Sequence, residues 1–323
     1  MADVATSGNH LAGTGIVFRD PLPWPEQREL VQTAEETGYE AAFVPEIAGR
    51  EAFSTLTGLA DDSSTIQLGT GVVTMWARTP ATTAMGAATV HELSGGRFVL
   101  GIGSGSPPPG SNPKTQLERL RQYVGSVRTV LSGETLPPDD PFGQGGFRLA
   151  VGLPTGPPPL WLGALGDRTM EAAREIADGV ILNWCTPKRV GEARRLAGGD
   201  VTVAVYVRAC LGVSDRVALE ALRPATAQYA AIPHYRRQME RMGLGEAAVE
   251  AAHALGSGDM EKVPETLVRT LAVMGGRDEA LARFAAFHDA GADLVLVYPV
   301  PALDPFSSIM GTLLTAAPDP AFG

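Results

Sequence analysis

The chain has 323 residues, of which 44% are hydrophobic, and its 26 basic and 36 acidic side chains give a formal net charge of −10. Such a negative surface repels nucleic acid and anionic membranes, so we expect neither as a partner. Cys185 and Cys210 lack the spacing of metal ligands and are too few for a disulfide framework. The sequence also shows no signal-peptide pattern and no apolar run of membrane-spanning length. Together these features predict a cytoplasmic protein without a metal site.

Short apolar runs alternate with helical patterns along the whole chain. Eight of these runs read as strands, because they are too short for helices or are bounded by glycine and proline. The predicted strands are residues 11–18, 39–44, 66–73, 97–102, 160–163, 180–184, 201–211 and 293–298. Residues 265–273 read as one of the intervening helices. This alternation, at this length, predicts an α/β fold of the (β/α)8 TIM-barrel class with insertions.

Two segments interrupt the alternation. Residues 134–159 are rich in proline and glycine and predict an inserted loop or hairpin, anchored by Phe142 and Phe147. Residues 243–264 predict a short helical insertion. Neither segment reads as a linker, so we expect a single barrel domain over residues 1–323. A doubly wound open sheet is the alternative, but it requires a G-x-G-x-x-G fingerprint near the first strand, and none stands there.

The stretch 92–105, ELSGGRFVLGIGSG, is the most informative part of the chain. Glycines 95–96 end a helix and turn the chain into a short buried strand. Gly101, Gly103 and Gly105 then allow the backbone to approach a partner closely at the carboxyl end of that strand. Parallel α/β folds bind their ligands at that end of the strands. A purely structural turn after a core strand is the alternative interpretation.

Five stretches, in this order along the chain, resemble the luciferase-like monooxygenase superfamily and, within it, the oxidoreductases that depend on coenzyme F420, a deazaflavin. They are FVPEIAGREAF at 43–53, IQLGTGVV at 66–73, ELSGGRFVLGIGSG at 92–105, WLGALGDRTMEAAREIADG at 161–179 and HDAGADLVLVYPV at 288–300. The resemblance implies a (β/α)8 barrel with insertions, coenzyme F420 as cofactor and a homodimer. Flavin mononucleotide (FMN) is the alternative cofactor.

The resemblance places the cofactor ring at the ends of the third and fourth predicted strands. It implies a backbone bulge after the third strand, often with a cis peptide bond that does not precede proline, and a loop after the fourth that holds the ribityl chain or the polar edge of the ring. The residues concerned are Gly69, Thr70, Gly71, Val72, Gly103, Ser104 and Gly105. Ser106 stands where some relatives have histidine, which argues against a histidine proton donor in this loop. Ordinary glycine strand ends are the alternative.

The resemblance places the cofactor phosphate in a glycine loop that runs into a helix start, where free amides and the helix dipole favour anions. This loop consists of Gly163, Ala164, Leu165, Gly166, Asp167 and Arg168. Asp167 is alternatively a simple helix cap. A second phosphate grip is implied after the sixth predicted strand, where Asn183 precedes Thr186, with Lys188 or Arg189 supplying charge. A cap followed by a solvated basic turn is the alternative there.

Two residues at predicted strand ends are proposed to transfer protons. Glu46 follows the second strand, and a carboxyl among apolar walls would pass a proton at neutral pH. Its alternative is a capping or ion-paired glutamate, with Arg50 as partner. Tyr298, at the end of the eighth strand, is the second choice. Arg78, after the third strand, is proposed to bind an anionic cofactor tail; an exposed arginine, or one that pairs with a helix, is the alternative.

The region after the seventh predicted strand is proposed to form a lid or a substrate wall through Tyr229 and His234. The predicted function is hydride transfer between reduced deazaflavin and a small organic substrate, by reduction of a C=C, C=N or C=O bond or by the reverse oxidation. Two alternatives remain: an FMN-dependent monooxygenase of the same fold, and a non-catalytic barrel that binds a ligand.

Overall fold

The computed structural model describes residues 13–18, 22–105, 107–112 and 115–318. Its strands, in chain order, are β1 (Gly13–Val17), β2 (Ala41–Val44), β3 (Gln67–Thr70), β4 (Val73–Thr74), β5 (Phe98–Gly103), β6 (Leu160–Gly163), β7 (Gly179–Asn183), β8 (Thr202–Leu211), β9 (Ala272–Gly275) and β10 (Leu294–Pro299). β10 pairs in parallel with both β1 and β8, which closes a barrel of parallel strands in which β4 continues β3. The predicted TIM-barrel fold is confirmed.

The helices pack around this barrel. They are α1 (Trp24–Glu36), α2 (Ala52–Asp61), α3 (Pro80–Leu93), α4 (Gln116–Leu131), α5 (Asp167–Ile176), α6 (Pro187–Ala197), α7 (Asp215–Ala231), α8 (Pro233–Arg241), α9 (Gly245–Ser257), α10 (Glu265–Leu271), α11 (Arg277–Asp289) and α12 (Pro305–Thr315). Several begin as their sequences predict: Thr79, Thr186 and Asp304 accept backbone N–H bonds at the starts of α3, α6 and α12. None of the helices described is both long and apolar enough to cross a membrane.

Three apolar clusters follow from this arrangement. The largest lies between the barrel and its helices. A second fills the barrel interior, where alternate residues of each strand point inward, as Ala204 and Tyr206 do from β8. Inside the barrel the rings of Phe43 and Trp161 stack with their centroids 5.6 Å apart. The third cluster lies under α7 to α10, outside the barrel. The interior of the barrel is therefore a packed core.

The two segments that interrupt the alternation in the sequence differ in structure. Residues 134–159 form no helix or strand, and their turn is held by a bond from the Leu136 N–H to the Phe147 carbonyl. Phe142 and Phe147 pack against the main core, as expected of anchors. The helical insertion predicted at 243–264 contains α9 and belongs to a larger unit that runs from α7 to α10.

One predicted element was wrong at its end. The helix predicted at 265–273 stops at Leu271, and Ala272–Gly275 forms β9, which pairs in parallel with the last residues of β8 outside the barrel. The run Ala272, Val273 and Met274 is apolar and continues the helical pattern, so local sequence favoured the wrong element. Tertiary pairing decides the conformation here. Residues 11 and 12 of the first predicted strand lie outside the described residues.

Glu35 ties the end of α1 to the chain that enters β3. Its carboxylate accepts backbone N–H bonds from Ser64 at 3.0 Å and Ile66 at 2.7 Å, and a shorter one from Thr65. Burial alone would raise its pKa, but these bonds outweigh burial and lower the pKa to about 2. A folded pKa below the ordinary value of 4.5 means that the bonds stabilise the fold above that pH and lose their effect as the pH falls toward 2.

Replacing Glu35 with glutamine is therefore expected to cost about 1 kcal/mol near pH 7, a figure reduced for solvent screening of a partly exposed group. The deficit should shrink as the pH is lowered from about 5 toward 3, which urea unfolding at several pH values would measure. The neighbouring exposed Glu36→Gln is the matched control, with no change expected. Equal deficits at both ends of the pH range would contradict the account.

Candidate active site at the barrel mouth

The carboxyl ends of all barrel strands open on one end of the barrel, which we call the mouth, because every pairing is parallel. There the register aligns Tyr298 of β10 with Arg208 of β8, and Asn183 of β7 with Tyr206 of β8. Arg208 and Tyr298 come from strands that are far apart in sequence. The mouth is thus assembled only when the barrel closes between β8 and β10.

Arg208 is the central charged residue of the mouth, and it is only 3% exposed. Its Nη1 donates to Oδ1 of Asn183 at 2.7 Å, and its Nη2 lies 3.4 Å from the hydroxyl of Tyr229. The guanidinium carbon lies 3.7 Å from the ring centroid of Tyr298 and 4.9 Å from that of Trp184. Within the described part of the chain, no carboxylate pairs with this buried cation.

Further hydrogen bonds hold the residues that contact Arg208. Asn183 donates from Nδ2 to the hydroxyl of Tyr235 at 2.9 Å, which orients its amide oxygen toward Arg208. Gln238 of α8 donates to the carbonyls of Asn183 and Trp184 at 2.6 and 2.9 Å, and so holds the left-handed backbone turn at Trp184. Burial raises the pKa of Tyr235, which keeps its phenol neutral. The insertion α7 to α8 therefore forms one wall of the mouth.

The bulge implied after the third predicted strand is present between β3 and β4, and the Gly71–Val72 peptide bond is cis. The hydroxyl of Tyr206 donates to the Gly71 carbonyl at 2.8 Å from inside the barrel. Thr70 is fully buried, and its hydroxyl bonds with both the N–H and the carbonyl of Gly101. Thr70 therefore belongs to the barrel wall, whereas Val72 is partly exposed at the mouth.

The glycines at these strand ends serve the packing of the protein itself. A Cβ at Gly71 would overlap the Tyr206 hydroxyl, and one at Gly101 would overlap the Thr70 carbonyl oxygen. A Cβ at Gly69 or Gly103 would meet the side chain of Phe43 or Val72, respectively. The close approach predicted at these positions is therefore made by the protein's own atoms and needs no ligand to explain it.

The glycine loop before α5 has a different environment. Gly166 begins the helix without a side-chain cap, and a Cβ at Gly166 would meet nothing within 4 Å. Arg189, 4% exposed, supports the loop from within: it donates to Asp167 at 2.5 Å, to the Leu165 carbonyl at 3.2 Å and to Glu192 at 3.0 Å. Its hydrogen bond lowers the pKa of Asp167.

The basic residues near this loop differ in availability. Arg189 and Lys188 are the two cations predicted for the second phosphate site. Arg189 forms ion pairs with Asp167 and Glu192, whereas Lys188 is exposed. Arg168 is also exposed and lines an outer groove between α4 and α5. The Thr186 hydroxyl accepts the Arg189 N–H as the cap of α6, and Ala164 is buried.

Glu46 does not lie among apolar walls as expected. Its carboxylate forms a two-pronged ion pair with Arg78, with N···O distances of 2.5 and 2.6 Å, and it accepts the Ala52 N–H at 3.0 Å. Arg78 also contacts Glu51, so its guanidinium is shared between two carboxylates. The ion-pair partner of Glu46 is thus Arg78 and not Arg50, since both residues are brought together by the ends of β2 and β4.

The remaining predicted residues lie around the rim. His234 on α8 is half-buried with its ring 4.8 Å from that of Tyr235, and burial, with Arg237 nearby, lowers its pKa. The Ser104 carbonyl accepts the Trp76 indole N–H at 2.6 Å, and Gly105 is exposed. A cavity of about 210 Å³ lies beside Trp76. Ser106 lies outside the described residues.

The family model described as luciferase-like monooxygenase matches residues 4–294. The chain belongs to the luciferase-like monooxygenase family. Among its relatives in this family, the 5,10-methylenetetrahydromethanopterin reductase of Methanolobus tindarius is 29% identical over 306 residues, which cover 87% of this chain and 92% of the relative.

Two solved structures share the fold of this luciferase-like chain. The coenzyme F420-dependent tetrahydromethanopterin reductase of Methanopyrus kandleri superposes with a TM-score of 0.78 at 24% identity, covering 97% of this chain and 99% of that one. An F420-dependent secondary alcohol dehydrogenase, in complex with an F420–acetone adduct, superposes with a TM-score of 0.70 at 16% identity, covering 94% and 98%. These likenesses confirm the barrel fold of the luciferase-like family.

Sequence reasoning missed the centre of this luciferase-like mouth. The site predicted from the sequence does not include Arg208, Tyr206 or Gln238. One signal was available: Arg208 is the charged residue in the alternating run 201–211 and shares the inward phase of Ala204 and Tyr206. Burying a charge is costly unless it is paired and hydrogen-bonded, so a charge at an inward barrel position indicates a candidate site.

Proposed function

We propose that the protein transfers a hydride between reduced coenzyme F420 and a small organic substrate at the mouth, reducing a C=C, C=N or C=O bond or catalysing the reverse oxidation. The coarser assignment, an F420-dependent oxidoreductase of the luciferase-like family, is supported by what its relatives are. The observation that carries the proposal is the near-full-length likeness to F420-dependent reductases, combined with a polar, aromatic mouth on the same barrel.

The residues at the start of α5 and nearby are suited to bind the phosphate of the coenzyme. The start of α5 offers uncapped amides with open space at Gly166, and the exposed Arg168 and Lys188 supply positive charge. At the ring end, the Trp184 indole nitrogen is buried without a hydrogen-bond partner among the described residues. When bound, the deazaflavin supplies the hydride chemistry, so the chain's own tasks are binding, orientation, exclusion of water and proton transfer.

Proton transfer remains proposed for Glu46, with Tyr298 as the second choice, and contact with substrate remains proposed for Tyr229 and His234. Both Glu46 oxygens bond to Arg78, so a proton passing through Glu46 must break one of these bonds first. Tyr298 lies closer to the centre of the mouth, against the guanidinium of Arg208. We also propose that the chain forms one barrel domain with insertions, works as a homodimer and acts in the cytoplasm.

The direct test is to titrate the purified apo-protein with coenzyme F420 and with FMN and to compare the dissociation constants. We expect F420 to bind at least about tenfold more tightly, a difference of about 1.4 kcal/mol. Tighter binding of FMN would favour the alternative monooxygenase, which the description of the family supports. Binding of neither cofactor would favour the non-catalytic barrel.

The phosphate site carries a separate prediction. Arg168→Gln and Lys188→Gln are each expected to weaken F420 binding about three- to tenfold, because each would remove one partly solvated positive charge near the proposed phosphate site at the start of α5. The matched control is Arg216→Gln, an exposed arginine on α7 paired with Glu220, for which the affinity should not change. Fluorescence titration would measure all three variants. Unchanged affinity in both Arg168→Gln and Lys188→Gln would place the phosphate elsewhere.

A further inference from the structure

The guanidinium of Arg208 is buried with neutral partners. Asn183 accepts from Nη1 at 2.7 Å, and the Tyr229 hydroxyl lies 3.4 Å from Nη2, which together occupy two of the five N–H groups. The described residues provide no carboxylate for it. A buried charge without a counter-ion is costly, so such a group is normally paired with an anion. The closed barrel therefore retains an arginine whose charge is left for a ligand to neutralise.

Four aromatic rings shape the space around this cation. Its guanidinium carbon lies 3.7, 4.9, 5.3 and 5.9 Å from the ring centroids of Tyr298, Trp184, Tyr229 and Tyr206, respectively. We call these four rings the aromatic cluster. Aromatic faces stabilise a cation without neutralising it. An aromatic face takes up none of the guanidinium N–H donors, which lie in the plane of the group.

The geometry favours a planar monoanion over a phosphate. A carboxylate lies in the plane of a guanidinium and accepts two parallel N–H bonds from its edge. A phosphate is tetrahedral and carries nearly two charges, whereas this cluster offers the single cation Arg208. The strand that carries Arg208 also fixes its depth, because Arg208 is aligned with Tyr298 within the closing pair of the barrel. A carboxylate bound there would hold the rest of a small molecule at the mouth.

We infer that Arg208 recognises a carboxylate on the substrate, so that the substrates of this protein are small unsaturated, oxo or imino acids, or their reduced counterparts. This inference rests on the proposed function for the redox step. In the reducing direction, the double bond of the acid gains a hydride, with two electrons, from the reduced coenzyme and one proton from the protein or solvent. The carboxylate itself is unchanged and serves as the anchor.

The test uses simple probes, because the substrate is unidentified. Formate, acetate and benzoate are titrated calorimetrically against the neutral amides formamide, acetamide and benzamide, at constant ionic strength, with the apo-protein and with the F420-saturated protein. At least one carboxylate should bind about tenfold or more tightly than its amide. Arg208→Met should abolish this preference. Equal binding of acids and amides, or a preference that survives Arg208→Met, would overturn the inference.

Arg283 offers a matched control. It too lies over an aromatic ring, that of Phe287 at 5.6 Å, and donates to a backbone carbonyl, that of Thr270, but it stands on α11 outside the barrel. Arg283→Met should keep the full preference for carboxylates. If Arg208→Met does not fold, Arg208→Lys decides: it keeps the charge but loses the planar fork, so carboxylate affinity should fall at least about fivefold while amide affinity stays. Unchanged carboxylate affinity would overturn the inference.

F420 affinity, measured in parallel, separates the two hypotheses. If the wild-type protein fails to bind F420 but prefers carboxylates, the proposed function fails and the anion site stands. If it binds F420 and shows no carboxylate preference, the inference about Arg208 fails alone. A loss of F420 binding of more than about tenfold in Arg208→Met, without any carboxylate preference in the wild type, would assign Arg208 to the cofactor and also overturn the inference.

Discussion

Gly101→Ala is expected to destabilise the protein by about 3 kcal/mol or more, because the new methyl group would overlap the carbonyl oxygen of Thr70 on the neighbouring strand. That oxygen belongs to the backbone and cannot rotate away. The Thr70 hydroxyl also bonds both the N–H and the carbonyl of Gly101, so β3 and β5 cannot separate without losing these bonds. Gly71 and Val72, which are predicted to contact the cofactor ring, directly follow Thr70 in the chain. We therefore expect Gly101→Ala to weaken F420 binding as well as stability.

Gly125→Ala is the matched control for Gly101→Ala. Gly125 lies in the middle of α4, is exposed, and has nothing within 4 Å of a Cβ. Alanine there should stabilise the protein by about 0.5–1 kcal/mol, because glycine costs backbone entropy in a helix. Urea unfolding would measure both variants. Opposite signs are expected, and a Gly101→Ala protein as stable as the wild type would refute the close packing of β3 against β5.

Arg189→Met is expected to destabilise the protein by about 2–3 kcal/mol and to weaken F420 binding at least about tenfold. Arg189 is 4% exposed and ties the Leu165 carbonyl and the Asp167 carboxylate to α6. The stability estimate lies below that for a fully buried pair, because the Asp167 side chain is 48% exposed. Without Arg189 the start of α5 loses its support, and with it the alignment of its free amides.

The acid response of Arg189→Met provides an independent check. The arginine lowers the pKa of Asp167, so this bond stabilises the fold above the ordinary aspartate value of 3.8 and loses that effect as the pH falls below it. The variant should therefore be less sensitive than the wild type to acid in that range. The control is Arg216→Met, whose exposed pair with Glu220 should contribute almost nothing. A similar loss in Arg216→Met would show that the effect is not specific to Arg189.

The barrel was predictable because its signals are local. Short apolar strands, bounded by turns and alternating with helices, specify the element order, and a parallel barrel is the fold that this order favours at this length. The sequence did not predict β9, because the apolar residues 272–274 are compatible with either a helix or a strand. Pairing with the end of β8 is what makes this segment a strand. Such a choice depends on a pairing between segments about sixty residues apart, which no local window contains.

The site was less predictable, because its partners meet only in space. Glu46 and Arg78 were both selected, but their ion pair was not foreseen: the sequence placed Arg50 beside Glu46, whereas the fold brings Arg78 there. Glycine was the most misleading signal. Gly71 and Gly101 were interpreted as room for a ligand, and the room is taken by Tyr206 and Thr70. Among the glycines proposed to contact the cofactor, Gly166 at the start of α5 is the one where a Cβ would meet nothing within 4 Å.

Arg208 occupies a junction in the sheet. It pairs with Tyr298 of β10 inside the barrel and with Ala272 of β9 outside it, so one residue belongs to both ladders. The unit α7 to α10 has its own apolar cluster and reaches the barrel through β9. Substitutions that repack this remote cluster would therefore shift the guanidinium of Arg208 through β9. Substrate selectivity can consequently evolve through buried substitutions, while every residue that lines the mouth stays the same.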